Sequence, residues 1–320
     1  MVKSLLPSYR LTQSSLDALA DAITKGSAFA PQVDAEGFCR LQPLSAGVLP
    51  DQALSSFVPL KKMFLPPREK LWSFQSGQFS ELEQAEPFAV VGVPLCDLQA
   101  LWYLDQVFAE DLPYQKRRTR SLVVAMPCDP MPECRCDPQL MPVAGDLFLE
   151  QKRAWALSPA GDALLRSCGA DGAADKPLPW PTTNPEKRPL LTEEQLRSSA
   201  DAAILAEAAQ SCLACGACSV VCPTCYCFDL LDETATDGSV TRNRRWDNCF
   251  FAEHAKVAGG HDFRPGSSNR LHFRLEHKFF GFGALHGQNS CVGCGRCRKV
   301  CPVDIDLDQI AAKLGGEELS

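Results

Sequence analysis

Apolar positions in the first half of the chain change between a helical period and short unbroken runs. Leu16, Leu19, Ala20 and Ile23 form the inner stripe of a helix over 15–25, and Gly26 stands where that helix would stop. Phe88-Ala-Val-Val-Gly-Val93 and Ser121-Leu-Val-Val-Ala125 are runs of strand length, as expected of strands covered on both faces. Between them Asp97 is placed to cap a helix carrying Leu98, Leu101, Leu104 and Phe108. Strand, helix, strand in this order predicts a parallel pair with a right-handed crossover. Residues 146–150 and 153–157 read as a hairpin.

The pattern then breaks. Residues 168–189 are rich in Gly, Ala, Pro, Asp and Asn and read as a linker or ordered arm. Thr192 with Gln195 forms a capping-box pair, predicting a helix that runs to about Ala209 and delivers the chain to Cys212. The expected fold class is α+β. An N-terminal α/β domain covers 1–170, a linker 171–190, and a mostly helical two-cluster ferredoxin-like domain 191–320.

With 320 residues, 45% of them hydrophobic, the chain is long enough for two ordinary cores. Seventeen cysteines without a secretory signal point to metal ligation in a reducing cytoplasm, because the apolar start is broken at Pro7 and Arg10. No apolar run reaches the length of a membrane span. A net charge of −7 argues against a general nucleic-acid binder. The charge is nevertheless uneven: residues 241–300 hold eleven Lys and Arg against four acids, together with all five histidines.

In the C-terminal part of the chain, before and across the end of this basic stretch, one cysteine rhythm occurs twice. Cys212, Cys215, Cys218 and Cys222 precede Pro223, and Cys291, Cys294, Cys297 and Cys301 precede Pro302. In this spacing three thiolates wrap one cubane, and the fourth, carried off by the proline, ligates the other cluster. One 4Fe-4S cluster is therefore expected on Cys212, Cys215, Cys218 and Cys301, and a second on Cys291, Cys294, Cys297 and Cys222. Structural zinc also uses paired cysteines, but it gives no reason for the third cysteine, the fourth or the proline, each present twice. The 68 residues between Cys222 and Cys291 exceed what a minimal two-cluster ferredoxin needs and suggest a covering or docking surface.

Nine cysteines remain. Cys96 and Cys128 follow the two predicted strands, with Cys134 and Cys136 close behind. A parallel pair would bring these four to one sheet edge, where α/β proteins build sites, and they match the ligand count of a third 4Fe-4S cluster. The alternative is that Cys96 and Cys128 are small buried hydrophobes. Cys225, Cys227 and Cys249 form a trio, either a further site completed by His261 or another nitrogen or oxygen donor, or packing around the two clusters. Arg244, Arg245, Arg296 and Arg298 are candidates to raise cluster potentials, or else a solvated basic face. No dinucleotide, P-loop, nucleophile-elbow or zincin motif occurs, so neither flavin nor nucleotide is expected on this chain and no catalytic residue is assigned.

Several blocks together carry a resemblance: Cys-Leu-Ala-Cys-Gly-Ala-Cys running on to Cys-Pro-Thr-Cys-Tyr-Cys-Phe from Cys212, Arg-Arg-Trp-Asp-Asn-Cys ending at Cys249, Val-Ala-Gly-Gly-His-Asp-Phe-Arg-Pro from Val257, and Cys-Val-Gly-Cys-Gly-Arg-Cys from Cys291. They resemble the beta subunit of soluble sulfhydrogenases and are similar to the iron-sulfur A subunit of anaerobic sulfite reductase. Pro-Arg-Glu-Lys-Leu-Trp near residue 70, Cys-Asp-Leu at Cys96 and the Cys128 to Cys136 group extend the likeness over nearly the whole chain. The resemblance implies a non-catalytic electron-transfer subunit of a cytoplasmic oxidoreductase. Its implied partners are a flavin-containing NAD(P)H-oxidoreductase subunit and the small and large subunits of a nickel-iron hydrogenase. A sirohaem sulfite reductase subunit or a heterodisulfide-reductase-type complex is the alternative, and an enzyme with an open-site cluster a more distant one.

Overall fold

The structure is a computed structural model that describes residues 6–80, 85–129, 134–136, 144–179, 191–199, 202–286 and 290–316. The readings on the first five residues and on most of the 171–190 linker lie outside them. The chain forms two compact units, one made of Met1–Leu65 and Glu83–Asn184, the other of Pro66–Leu82 and Pro185–Ser320. No helix among the described residues is long and apolar enough to cross a membrane.

The first unit starts with β1 (Leu6–Arg10), α1 (Gln13–Thr24), β2 (Ser27–Val33), β3 (Cys39–Pro43) and α2 (Lys61–Phe64). The chain next contributes β4 (Arg68–Gln75) and β5 (Gln78–Ser80) to the second unit. It returns with β6 (Phe88–Val93), α3 (Leu95–Val107), α4 (Leu112–Arg118), β7 (Ser121–Ala125), β8 (Leu147–Glu150), β9 (Arg153–Ala156), α5 (Pro159–Ser167) and β10 (Asp171–Lys176). Eight strands form one sheet in the order β10-β1-β9-β8-β7-β6-β2-β3. Its centre is parallel, from β2 through β6 and β7 to β8, while β3, β9, β1 and β10 join antiparallel. Both predicted apolar runs are adjacent parallel strands, and the hairpin is present.

Leu19 and Ile23 of α1 share a core with Val91, Val124, Leu147 and Leu149 of the sheet. Burying each such side chain contributes about 1.5–3 kcal/mol. Helix α3 differs from expectation at its start: Pro94 is the N-cap, and Asp97 lies buried in the first turn, where its charge faces the positive helix end. The region read as linker also begins differently, since β10 pairs with β1.

The second unit adds α6 (Glu193–Ser198), α7 (Ala203–Ser211), α8 (Ala217–Val220), β11 (Phe228–Thr234), β12 (Val240–Trp246), α9 (Ser267–Phe279), α10 (Arg296–Val300) and α11 (Leu307–Leu314). Thr192 and Gln195 make the expected capping box, but α6 stops at Ser198. Ser198 and Ser199 donate their hydroxyls to carbonyls three residues back, the local competition that favours helix ends. The helices share a core of Leu196, Leu205, Leu271, Leu275, Phe279 and Ile310.

A four-stranded antiparallel sheet, β11-β12-β4-β5, completes this unit. Ser76 and Gly77, both at positive φ, form the two-residue turn between β4 and β5, a backbone that suits the twist of a hairpin. At the β4–β12 seam Glu69 pairs with Arg244, each side chain only 4% exposed. Sequence reading leaves 66–82 with the N-terminal domain; strand pairing assigns it to the other unit.

Candidate metal centre

The two cysteine motifs build the same local structure twice. Gly216 at φ 75 opens α8 and Gly295 at φ 67 opens α10. Ala214 at φ 50 and Gly293 at φ 65 hold matching positions one residue before the second cysteine of each motif. The N–H of Cys222 bonds to Ser219 O at 3.3 Å and that of Cys301 to Arg298 O at 3.2 Å. Each motif then turns at its proline, Cys225 N bonding to Cys222 O and Asp304 N to Cys301 O, both at 3.3 Å. Helices α8 and α10 pack on each other, so the copies face one another.

Cys212, Cys215, Cys218 and Cys301 line one cavity, with Cys297 and Arg274 also in its wall. Cys222 and Cys291 lie close enough to Cys294 and Cys297 to perturb both. The structure thus gathers the eight motif cysteines in one region, with Cys301 beside the first three and Cys222 near Cys291, Cys294 and Cys297 as well as Cys218. Burial pushes the Cys294 thiol up to about 11, partly countered by Arg296, and raises Cys297 as well. Burial likewise raises Cys218, against the pull of Arg274. Such thiols ionise reluctantly alone, whereas a bound metal deprotonates them outright. The N–H of Ile305 donates to Cys301 Sγ at 3.3 Å.

Asn248 anchors the loop above the first motif. Its Nδ2 donates to Gly216 O at 2.8 Å, and its Oδ1 accepts from Ser219 Oγ at 3.1 Å and Phe250 N at 3.0 Å. Gly216 is required twice over, by its positive φ and because a Cβ there would run into the Asn248 side chain.

Helix α9 carries the electrostatics. Arg270, Arg274 and Lys278 recur every four residues, on one face, and that face is the buried one. Arg270 has Asp262 at 3.7 Å and backbone carbonyls. Arg274 is 2% exposed; it donates to Ser219 Oγ at 2.8 Å, Cys218 O at 3.0 Å and Cys225 Sγ at 3.6 Å, while its Nε has no partner among the described residues. Lys278, also buried, donates to Thr224 Oγ1 at 2.9 Å. No carboxylate among the described residues bonds Arg274, and a guanidinium out of water needs a compensating anion. Thiolate-bound clusters supply that negative charge, so the donor set and its surroundings fit iron-sulfur groups.

These cations were not singled out in the sequence, although a basic residue every fourth position on one helix face was a readable signal. Of those that were, Arg244 is tied to Glu69, Arg245 to Asp229 at 3.1 Å and Arg298 to Asp306 at 3.2 Å. Arg296 lies buried beside Cys294.

Cys225, Cys227 and Cys249 line a second cavity together with Arg274, His277 and Lys278. His261 is absent from that wall; it is exposed and its ring stacks edge-on to Phe263. His277 Nε2 meets Tyr226 Oη at 3.1 Å, and burial, followed by Lys278 and Arg274, lowers its pKa to about 4.

In the first unit, Cys96 lies in the opening turn of α3 after β6, and Cys128 follows the adjacent β7. Gly92, at φ 73, makes a bulge in β6 just before this edge. Cys134 and Cys136 have sulfurs 3.2 Å apart, and the charges of Cys96, Cys134 and Cys128 all reach Cys136. The hydrogen bond from Cys136 is the main reason that Cys134 falls to about 7, while burial raises Cys128. Cys39 lies in β3 and Cys168 in the core of the first unit.

Among the described residues no three Cys, His, Asp or Glu side chains converge on a point where one metal ion would sit. A cubane makes another demand, since its thiolates bind separate irons and stand further apart. Residues 211–305 match the family model of a 4Fe-4S dicluster domain. The chain is 32% identical over 280 residues to the sulfhydrogenase 2 subunit beta of Pyrococcus furiosus, covering 80% of this chain and 83% of that one. No solved structure matches it.

Proposed function

Because this chain belongs to the sulfhydrogenase beta subunit family and carries a 4Fe-4S dicluster domain, we propose that it relays single electrons between a flavin-bearing NAD(P)H-oxidising subunit and a nickel-iron hydrogenase module. In this reading one cluster is held by Cys212, Cys215, Cys218 and Cys301 and a second by Cys291, Cys294, Cys297 and Cys222. A third sits on Cys96, Cys128, Cys134 and Cys136. The chain binds no flavin or nucleotide of its own and works in the cytoplasm.

The observation that carries the reading is the buried cationic face of α9. No carboxylate among the described residues bonds Arg274, yet it borders the cavity of the first foursome and reaches Cys218 and Cys225. Bound clusters supply reversible one-electron chemistry at potentials set by charge, hydrogen bonds and solvent exposure. The protein holds the thiolates, offsets their charge with Arg274 and Lys278, and leaves Cys215 exposed as the point where the first site meets solvent.

The test is reconstitution. Anaerobically prepared chain should accept electrons from dyes but oxidise no NAD(P)H alone. Adding the flavin subunit should restore NAD(P)H-driven bleaching of the clusters, and Cys212→Ala or Cys291→Ala should interrupt it while flavin reduction in the partner persists. Robust NAD(P)H turnover by the chain alone would refute the relay.

A further inference from the structure

We infer that Cys227 and Cys249 form a two-electron dithiol/disulfide couple beside the paired cluster sites, a role that neither cysteine motif provides. The fold brings the two together deliberately. Cys227 immediately precedes β11 and Cys249 follows β12 by three residues, so the β11–β12 pairing closes a long excursion and returns the chain to its start. The N–H of Asp247 bonds to Cys227 O at 3.0 Å, fixing the base of that hairpin, and the Asn248 side chain pins the next residue to the first cysteine motif. Both thiols line the wall of the same cavity, and both are free cysteines.

Their surroundings suit sulfur that changes charge. Both line a cavity whose wall includes Arg274 and Lys278, and Arg274 brings a buried Nε with no partner among the described residues. A thiolate produced there meets buried cations rather than a carboxylate. The neighbouring Cys227 thiol, with Arg274 and Lys278 behind it, draws Cys249 down to about 5, giving it thiolate character. Cys227 is held as the protonated member.

The Cys227–Cys249 disulfide takes two electrons, the S–S bond breaks, and one proton from water goes to Cys227, leaving a Cys227 thiol and a Cys249 thiolate. The reverse forms the S–S bond and returns two electrons and a proton. The electrons arrive singly from the two cubane sites, so the inference rests on the relay reading for their source. Disulfides of this kind in a reducing compartment are redox-active rather than structural.

The full chain with its clusters is the material for the test. Samples poised oxidised with ferricyanide or reduced with dithionite are quenched in acid, alkylated and mapped by mass spectrometry. The oxidised sample should yield a linked Cys227–Cys249 peptide pair that resists alkylation, and the reduced sample both cysteines alkylated. In a reductive titration the unaltered chain should take up two more electrons than Cys227→Ser at equal iron content. Absence of the linked pair at every potential, with equal electron counts, overturns the proposal. So does a loss of about four irons in Cys249→Ser, the content of one cubane, which would make Cys249 a cluster ligand. Mapping the unaltered chain decides even if the variants fail to fold. An unaltered chain without iron would instead strike at the relay reading.

Discussion

At the scale of single residues, buried charge decides most of what can be tested. Replacing Arg274 by Gln removes the cation that faces Cys218 and Cys225, and electron uptake makes a cluster more anionic. Reduction potentials of the second unit's clusters should therefore fall, whereas Arg274→Lys should restore part of the shift. A potentiometric titration followed by EPR reads this, and unmoved midpoints would reduce Arg274 to a packing role. Gly216→Ala should cost iron at the first site, because the added Cβ meets Asn248 on a left-handed backbone. Ala214→Gly should retain full iron, since it relieves a left-handed alanine where the second motif already has Gly293; metal analysis separates the two outcomes. In the first unit Arg118 donates to Asp105 at 2.9 Å, and Tyr114 donates to the same carboxylate at 2.7 Å. Burial nevertheless raises the Asp105 pKa. Arg118→Met strands that carboxylate and should cost about 3–5 kcal/mol at neutral pH. A folded pKa above 3.8 means that the native state holds the proton more tightly than the unfolded chain, an advantage lost as pH rises through the raised value. Without Arg118 the pKa rises further, so the deficit should narrow as pH is lowered from 7 toward it. Urea unfolding of both proteins at several pH values would show it. The eight motif cysteines were legible in the sequence because their spacing is local, whereas the partners of Arg274 and Asp105 depend on which helix face turns inward.

At the scale of elements, legibility followed the same physical division. Strands β6 and β7 and the β8–β9 hairpin were readable because each is a short run whose apolar character needs no distant partner. Strand β4 was not read, although Trp72 and Phe74 alternate with polar residues before the Ser76-Gly77 turn. Its partner β12 lies in the other half of the chain, and pairing at that distance leaves no mark on a local window. Helix α9 was obscured for another reason, since cations on a buried face invert the usual pattern until the anions they answer are known. The β4–β12 seam yields a prediction. A fragment beginning at residue 185 leaves the β12 edge open and removes Glu69 from the buried Arg244. Joining 66–82 to it through a flexible linker should raise the urea midpoint and suppress aggregation. Equal midpoints with and without 66–82 would show the seam to be dispensable.

At the scale of the whole molecule, iron can be divided between the two units. If the proposed ligands hold, the full chain should contain about twelve irons and as many sulfides, four per cubane. The joined fragment described above should keep about eight. Twelve in that fragment would remove Cys96, Cys128, Cys134 and Cys136 from the ligand list, and stoichiometric zinc without sulfide would remove the clusters altogether. The discontinuity of the second unit has a further consequence, in the order of synthesis. Arg68 and Glu233, an ion pair across its sheet, are 165 residues apart in sequence. At ~5–20 residues per second the ribosome leaves β4 and β5 waiting about 10–30 s for β12. During that interval the first unit can close around its own sheet while the Trp72 and Phe74 strand hangs out as an unpaired loop. The newborn chain therefore has a window in which this hairpin is open to proteases and chaperones, and it ends only when β12 emerges.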